Sequence, residues 1–172
     1  LWARVQARLA APNRRSDGGS GAPPSLPLTG HVFDETGDRL TPIHATKAGR
    51  RYYYYVSSRL SQTDIPDPSG WRLPAAAFER AAVAGIVSVL KDSSQVLQML
   101  QENALPLGTQ VHRLDRILQG AAQFAEELQQ SDAREALHRF IPVIERIDLS
   151  PGQMTIQIKV QAWLVLFGAA EP

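Results

Sequence analysis

The sequence predicts an α+β fold: a small antiparallel β-ribbon module, then a helical region with a candidate short coiled-coil seam, then a C-terminal β-hairpin. β-branched and aromatic residues concentrate in two stretches, 28–58 and 146–160, each interrupted by Gly, Asp or Pro turn signals. Between them, apolar residues recur at helical spacing over 75–145. The 172 residues are 44% hydrophobic and 20% charged, the balance of a chain that folds around a core.

The first third of the chain is basic and the remainder is acidic. Residues 1–61 carry nine Lys and Arg against four Asp and Glu, whereas residues 62–172 carry nine against thirteen. This asymmetry indicates an anion-facing front module and a solvated or protein-facing rear module. The absence of cysteine excludes disulfides and thiolate metal sites, and no apolar run approaches the roughly 20 residues that span a bilayer. We therefore expect no membrane partner and a cytoplasmic location.

The N-terminal residues lead into the ribbon. Residues 1–10 have apolar side chains at helical spacing and are predicted to end a preceding helical domain. Because the chain starts within this helix and lacks an initiating methionine, we expect it to be a piece of a longer protein. Residues 11–25 are rich in Pro, Gly, Ser and Asn and are predicted to form a flexible linker.

The ribbon module is predicted over residues 26–60, as three strands joined by two turns. Asp and Gly in the first turn and Gly in the second favour tight reversals, and Pro42 favours an edge position for the middle strand. The expected strands are Leu28–Phe33, Arg39–Ile43 and Arg50–Ser58, and the expected turns are Asp34–Asp38 and His44–Gly49.

Four consecutive tyrosines lie in the third predicted strand. Strand alternation puts Tyr52 and Tyr54 on one face with Val56, and Tyr53 and Tyr55 on the other. We expect one tyrosine pair to be structural and the other to be available for contact.

The helical region, residues 74–145, follows an irregular stretch, Ser61–Pro74, that is rich in Pro and Gly. Helix-start residues Pro74, Asp92 and Asp132 precede apolar periodic segments. The predicted helices are Ala75–Lys91, one after Asp92 that is broken at Leu105–Gly108, Thr109–Gln130, and one from Asp132 to about Glu145. Residues 146–172 are predicted to form a terminal strand pair and tail, with strands Arg146–Leu149 and Met154–Val160 joined by a turn at 150–153.

The third predicted helix carries a seam of apolar residues at alternating spacings of three and four. Such an a/d pattern is typical of helix–helix packing. One interpretation is packing against a neighbour in the same chain, and the other is self-association. The seam residues are Val111, Leu114, Leu118, Ala121, Ala125 and Leu128.

The residues offer little for catalysis or for a metal. The sequence lacks a Gly-x-Ser-x-Gly elbow and a cysteine nucleophile, and its four histidines lie in unrelated elements. Although His31, Asp34, Asp38 and His44 fall on adjacent predicted arms, their spacing matches no usual zinc-ligand pattern. We therefore expect no catalytic site, no metal and no cofactor within these residues.

A cluster of basic and aromatic residues occupies the ribbon. Arginine and lysine neutralise phosphates, and tyrosine rings stack on bases or pack on sugars. We expect the basic side chains to gather at one end of the ribbon, either as a nucleic-acid surface or as a solvated edge that prevents strand aggregation. The candidate DNA-binding residues are Arg39, His44, Lys47, Arg50, Arg51, Tyr52 and Tyr54.

The segment GHVFDETGDRLTPIHATKAGRRYYYYVS, residues 30–57, resembles the zinc β-ribbon of large serine recombinases. These are resolvase/invertase-type site-specific DNA recombinases of bacteria and phages. In that family a Cys-x-x-Cys-Gly knuckle precedes a Thr-Pro arm, a basic turn and a Tyr-x-Tyr-Tyr-x-Cys strand. Residues 1–9 also resemble the helix that closes the preceding recombinase domain, whereas beyond Arg72 only the layout is similar.

The chain departs from the family at the zinc ligands, since Phe33, Thr36 and Ser57 stand at the cysteine positions. The resemblance therefore implies a metal-free ribbon in which Phe33 offers packing and Thr36 a turn hydroxyl. It also implies double-stranded attachment-site DNA as partner, catalysis by a separate N-terminal serine domain, and subunit pairing through the helical seam. The alternative is a helical protein-interaction or self-association module in which the ribbon is only a support.

Overall fold

The computed structural model describes residues 26–62, 69–102 and 111–166, and within them the predicted α+β fold is confirmed. Two three-stranded sheets accompany six helices and one 3₁₀ turn in these ranges. The predicted helix at 1–10, the linker at 11–25 and the helix break at 105–108 lie outside the described residues. The strands are β1 Val32–Phe33, β2 Leu40–Lys47, β3 Arg50–Ser57, β4 Arg72–Pro74, β5 Ile144–Ser150 and β6 Gln153–Ile158. The helices are α1 Ser58–Gln62, α2 Ala75–Lys91, α3 Ser93–Glu102, α4 Val111–Gln130, α5 Ala133–Phe140 and α6 Val160–Leu166.

Two compact units make up the described chain. The first combines residues 26–81 with 144–157, and the second combines residues 82–143 with 158–166. This division differs from the predicted one, in which the terminal strand pair stands apart. The reason is a long-range pairing: β1 pairs in parallel with β5, so the late strands join the ribbon in one unit.

The predicted first strand of the ribbon does not pair with β2 and β3 in one sheet. Its extended part, β1, belongs to a separate sheet with the order β1-β5-β6. Only Val32 and Phe33 of the expected strand are extended, because residues 26–31 form turns closed by the amides of Thr29 and His31. The expected hairpin between this arm and β2 is reduced to a single bridge between Phe33 and Arg39. Leu28, inside these turns, is fully buried and belongs to the core.

The second sheet has the strand order β2-β3-β4. Strand β2 runs to Lys47, so the predicted turn from His44 shrinks to Ala48 and Gly49, both with positive φ, of 50° and 74°. Positive φ at both central residues defines the type I′ turn that best fits the twist of a hairpin. Strand β4 lies within the stretch predicted to be irregular. Although it contains Pro74, all three of its residues pair with β3.

The second unit contains α3, α4, α5, α6 and most of α2. The predicted caps are confirmed: Asp92 accepts hydrogen bonds from the amides of Ser94 and Gln95, and Asp132 accepts one from the amide of Arg134. Helix α5 ends at Phe140 rather than near Glu145, because Pro142 lacks the N–H that would continue the helix. No described helix is both long and apolar enough to cross a membrane.

Candidate nucleic-acid interface

Strands β2 and β3 form a long hairpin with its turn at Ala48 and Gly49. The register pairs Lys47 with Arg50 beside the turn and continues to Leu40 and Ser57 at the other end. We call the turn end the tip and the other end the base. Seven residue steps between the end pairs, at about 3.3 Å per residue, separate tip and base by roughly 23 Å.

Directly paired residues of antiparallel strands lie on the same face, so the register sorts the ribbon into two faces. We name the two sides the basic face and the core face. The basic face contains Thr41, Ile43, Ala45, Lys47, Arg50, Tyr52, Tyr54, Val56, Arg72 and Pro74. The core face contains Leu40, Pro42, His44, Thr46, Arg51, Tyr53, Tyr55, Ser57 and Leu73.

The core face is anchored by Tyr55, which is fully buried. Its ring meets that of Phe78 edge to face, with centroids 5.5 Å apart. Its hydroxyl donates to Glu79 Oε1 at 3.1 Å and accepts from the amide of Leu28 at 3.2 Å. The division of the tyrosines is therefore only partly as expected, since Tyr55 is structural while its face partner Tyr53 remains half-buried.

The tip is basic and exposed. Lys47, Arg50 and Arg51 are all exposed, and none forms an ion pair with a carboxylate of a described residue. His44 lies across from Tyr53, with ring centroids 6.1 Å apart, and is also exposed. Lys47 and Arg50 share the basic face with the half-buried Tyr52 and Tyr54, whereas Arg51 and His44 lie on the core face.

Arg39 does not belong to this group. It precedes β2 at the base of the ribbon, where its carbonyl accepts hydrogen bonds from the amide and hydroxyl of Ser58. Our expectation that it adds charge to the same end as Lys47 is wrong, because β2 stays extended through the residues predicted to turn and carries the tip away from Arg39.

The structure adds one basic residue that the sequence analysis missed. Arg72 in β4 pairs with Val56 on the basic face, and its guanidinium carbon lies 5.8 Å from the centroid of the Tyr54 ring. No sequence signal marked Arg72, because it lies in a stretch rich in Pro and Gly that predicts a loop. Only the pairing of β4 with β3 brings it beside the tyrosines.

A buried carboxylate organises the base of the ribbon. Asp34 is 2% exposed, and its Oδ1 accepts hydrogen bonds from the amide and hydroxyl of Thr36 and from the amide of Asp38. Its Oδ2 accepts from Ser57 Oγ at 2.7 Å and forms an ion pair with Arg59 Nη1. We call these five residues the Asp34 cluster. It joins the first turn, the end of β3 and the start of α1.

The electrostatics of the cluster favour the ionised carboxylate. Burial alone would raise the pKa of Asp34, but hydrogen bonds from Thr36, Ser57 and Arg59 outweigh it, so the pKa lies below its ordinary value. Arg59 extends the cluster further, since its Nη2 donates to the backbone and side-chain oxygens of Ser69 at 3.0 and 3.2 Å.

The three positions where the resemblance places zinc-binding cysteines have other partners. Thr36 and Ser57 belong to the Asp34 cluster, so the expected turn hydroxyl at Thr36 is confirmed. Phe33 packs beneath the guanidinium of Arg146, whose carbon lies 3.7 Å from the ring centroid. Within the described ranges, no group of three or more His, Asp or Glu side chains is arranged to hold a metal ion.

The seam of α4 is divided between buried and accessible positions. Ala121, Ala125 and Leu128 are at most 1% exposed, so they are unavailable to a second copy while the unit is folded. Phe124, which contacts Phe140 of α5, is buried on the same helix. Of the other predicted self-association residues, Leu114 and Leu118 are half-buried, and the side chain of Val111 lies outside the described part.

No protein-family model, no curated protein and no solved structure matches this chain.

Proposed function

We propose that the chain binds double-stranded DNA through the β-ribbon. The observation that carries this proposal is the exposed set of Lys47, Arg50 and Arg51 around a two-residue turn, beside partly exposed tyrosines. None of the three forms an ion pair with a described residue. Charged side chains that hold no internal partner bind phosphates without first breaking an ion pair. A two-stranded ribbon is narrow enough to enter the major groove, which is about 12 Å wide.

We also propose that the chain is the DNA-binding and regulatory part of a serine site-specific recombinase, with catalysis elsewhere in the protein. Its support is the likeness of residues 30–57 to the ribbon of that family. In this proposal the Asp34 cluster takes the place of the metal, because it joins the turn at 34–38 to Ser57, two of the segments that carry the family's cysteines.

A charge-reversal experiment tests DNA binding. The double variant Arg50→Glu with Arg51→Glu changes one tip charge on each face, and binding to a labelled 20-base-pair duplex is measured by fluorescence anisotropy. We expect affinity to fall at least tenfold at about 50 mM salt, with a smaller effect at high salt. Arg80→Glu, a single exposed charge reversal on α2, is the control. Equal binding by the tip variant and the control at low salt would refute the proposal.

The second candidate function is self-association through α4, and it is supported by only two of the predicted seam residues. The half-buried Leu114 and Leu118 leave apolar surface on one helix, while three other seam residues are buried. The measurement is mass in solution for the parent chain and for Leu114→Asp with Leu118→Asp. A dimer that dissociates on mutation supports this candidate, whereas a parent chain that is monomeric at all concentrations removes it.

A further inference from the structure

We propose that nucleic acid lies along the basic face from tip to base, and that Arg72 is a contact residue at the base end. This inference rests on the proposed function, because it concerns the same ribbon. Binding by the tip alone would need only residues beside the turn, whereas binding along the face also needs Arg72, which lies far from the turn.

The basic face carries exposed cations at both ends. Lys47 and Arg50 form the pair beside the turn, and Arg72 pairs with Val56, six residues along β3 from Arg50. At about 3.3 Å per residue this separation is roughly 20 Å. A B-DNA strand places a phosphate about every 3.4 Å of helix axis, so a segment of about six nucleotides covers the distance. A ligand that meets only the tip does not reach Arg72.

Arg72 is positioned for such a contact. Its guanidinium lies over the Tyr54 ring at 5.8 Å, and its side chain remains exposed. A cation–π contact of this kind favours one placement of the side chain, while the planar fork of donors stays available for phosphate oxygens. Within the described residues Arg72 has no carboxylate partner.

The two buried carboxylates beside these strands contact side chains of the core face. Among the ten residues of the basic face there is no Asp or Glu. The buried carboxylates Asp34 and Glu79 instead bind Ser57 and Tyr55, which belong to the core face. A row of strand side chains with cations at both ends and no acidic member attracts a polyanion.

The middle of the basic face suits the same ligand. Along β3, Tyr52 and Tyr54 lie between Arg50 and the position paired with Arg72, and both residues are half-buried. Aromatic rings in this position pack on sugars or bases between phosphate contacts. The order along the face is therefore cation, ring, ring, cation.

The experiment compares four variants of the full chain for binding to a labelled 20-base-pair duplex between 50 and 200 mM salt. They are Arg72→Gln, Arg72→Lys, Arg80→Gln and the tip variant Lys47→Gln with Arg50→Gln. We expect Arg72→Gln to weaken binding about three- to tenfold at 50 mM salt and to reduce the slope of log affinity against log salt by about 0.9. Arg72→Lys retains the charge and should keep most of the slope. The Arg80→Gln control should change neither quantity.

The outcomes separate this inference from the proposed function. A tip variant that loses affinity and slope, beside an Arg72→Gln variant that binds like the parent chain, overturns the inference and leaves DNA binding by the tip. Loss of affinity in both Arg72→Gln and Arg72→Lys with an unchanged salt slope also overturns it, since that pattern indicates a structural effect. If neither the tip variant nor Arg72→Gln differs from the control, both proposals fail.

Discussion

Arg59 and Asp34 form an ion pair across 25 residues of sequence, and the Asp34 side chain in this pair is fully inaccessible to solvent. The guanidinium of Arg59 also donates to Thr36 Oγ1 and to both oxygen groups of Ser69. A single arginine thus holds the turn at 34–38 and the chain entering β4 at the base of the ribbon.

Removal of the Arg59 charge should destabilise the ribbon. In Arg59→Met the buried Asp34 carboxylate loses its cation, at an expected cost of about 3 kcal/mol in the free energy of unfolding. Arg59→Lys should recover only part of this, because an ammonium lacks the planar fork. Urea unfolding at pH 7 measures both. The control is Arg139→Met, which breaks the exposed pair with Glu127 and should cost less than about 1 kcal/mol. Equal losses of unfolding free energy in Arg59→Met and Arg139→Met would contradict a special role for the buried Arg59–Asp34 pair.

The same carboxylate should make stability depend on pH in the acid range. The pKa of Asp34 lies below its ordinary value in the folded chain, so its contribution is complete above the unfolded pKa of about 3.9. It is lost as the pH falls through the lower, folded pKa. The difference in unfolding free energy between the parent chain and Asp34→Asn should therefore be constant from pH 5 to 7 and shrink below about pH 4. A difference that persists unchanged to pH 2 would show that the charge of Asp34 is not its source.

The turn at the tip offers a stabilising change. Ala48 adopts a φ of 50°, a left-handed conformation that costs a residue with a Cβ roughly 1 kcal/mol, and Asn tolerates it better. We expect Ala48→Asn to raise the unfolding free energy by about 0.5 kcal/mol. Gly49→Ala should lower it, since Gly49 has a φ of 74°. Thermal melting of both variants tests the pair. An Ala48→Asn variant that melts below the parent chain would contradict the type I′ geometry.

The hydroxyl of Tyr55 should contribute to the stability of the folded chain. Tyr55→Phe keeps the ring on Phe78 but removes the buried hydrogen bonds to Glu79 and to the amide of Leu28. A buried polar group that loses its hydrogen-bond partner lowers the free energy of unfolding by about 1–3 kcal/mol. Tyr53→Phe, on the same face nearer the tip, should change stability by less than about 0.5 kcal/mol. Chemical denaturation compares the two, and indistinguishable stabilities would refute the structural role of Tyr55.

Local patterns in the sequence were sufficient for much of the fold. The caps at Asp92 and Asp132, the helix Ala75–Lys91 and the third ribbon strand follow from residues within a few positions of one another. The basic tip was also predictable, because Lys47, Arg50 and Arg51 surround a Gly turn in the chain itself. Caps, turns and helical stripes depend on short-range hydrogen bonds and periodicity, which a sequence displays directly.

What the sequence determined by itself was the α+β class, the capped helices and a hairpin rich in tyrosine and basic residues. Tertiary structure alone decided the parallel pairing of β1 with β5, the distance of Arg39 from the tip and the placement of Arg72 over Tyr54. It also selected Arg59 as the partner of Asp34. These relationships join residues far apart in the chain, where free energy depends on which surfaces meet and no local pattern specifies the partner.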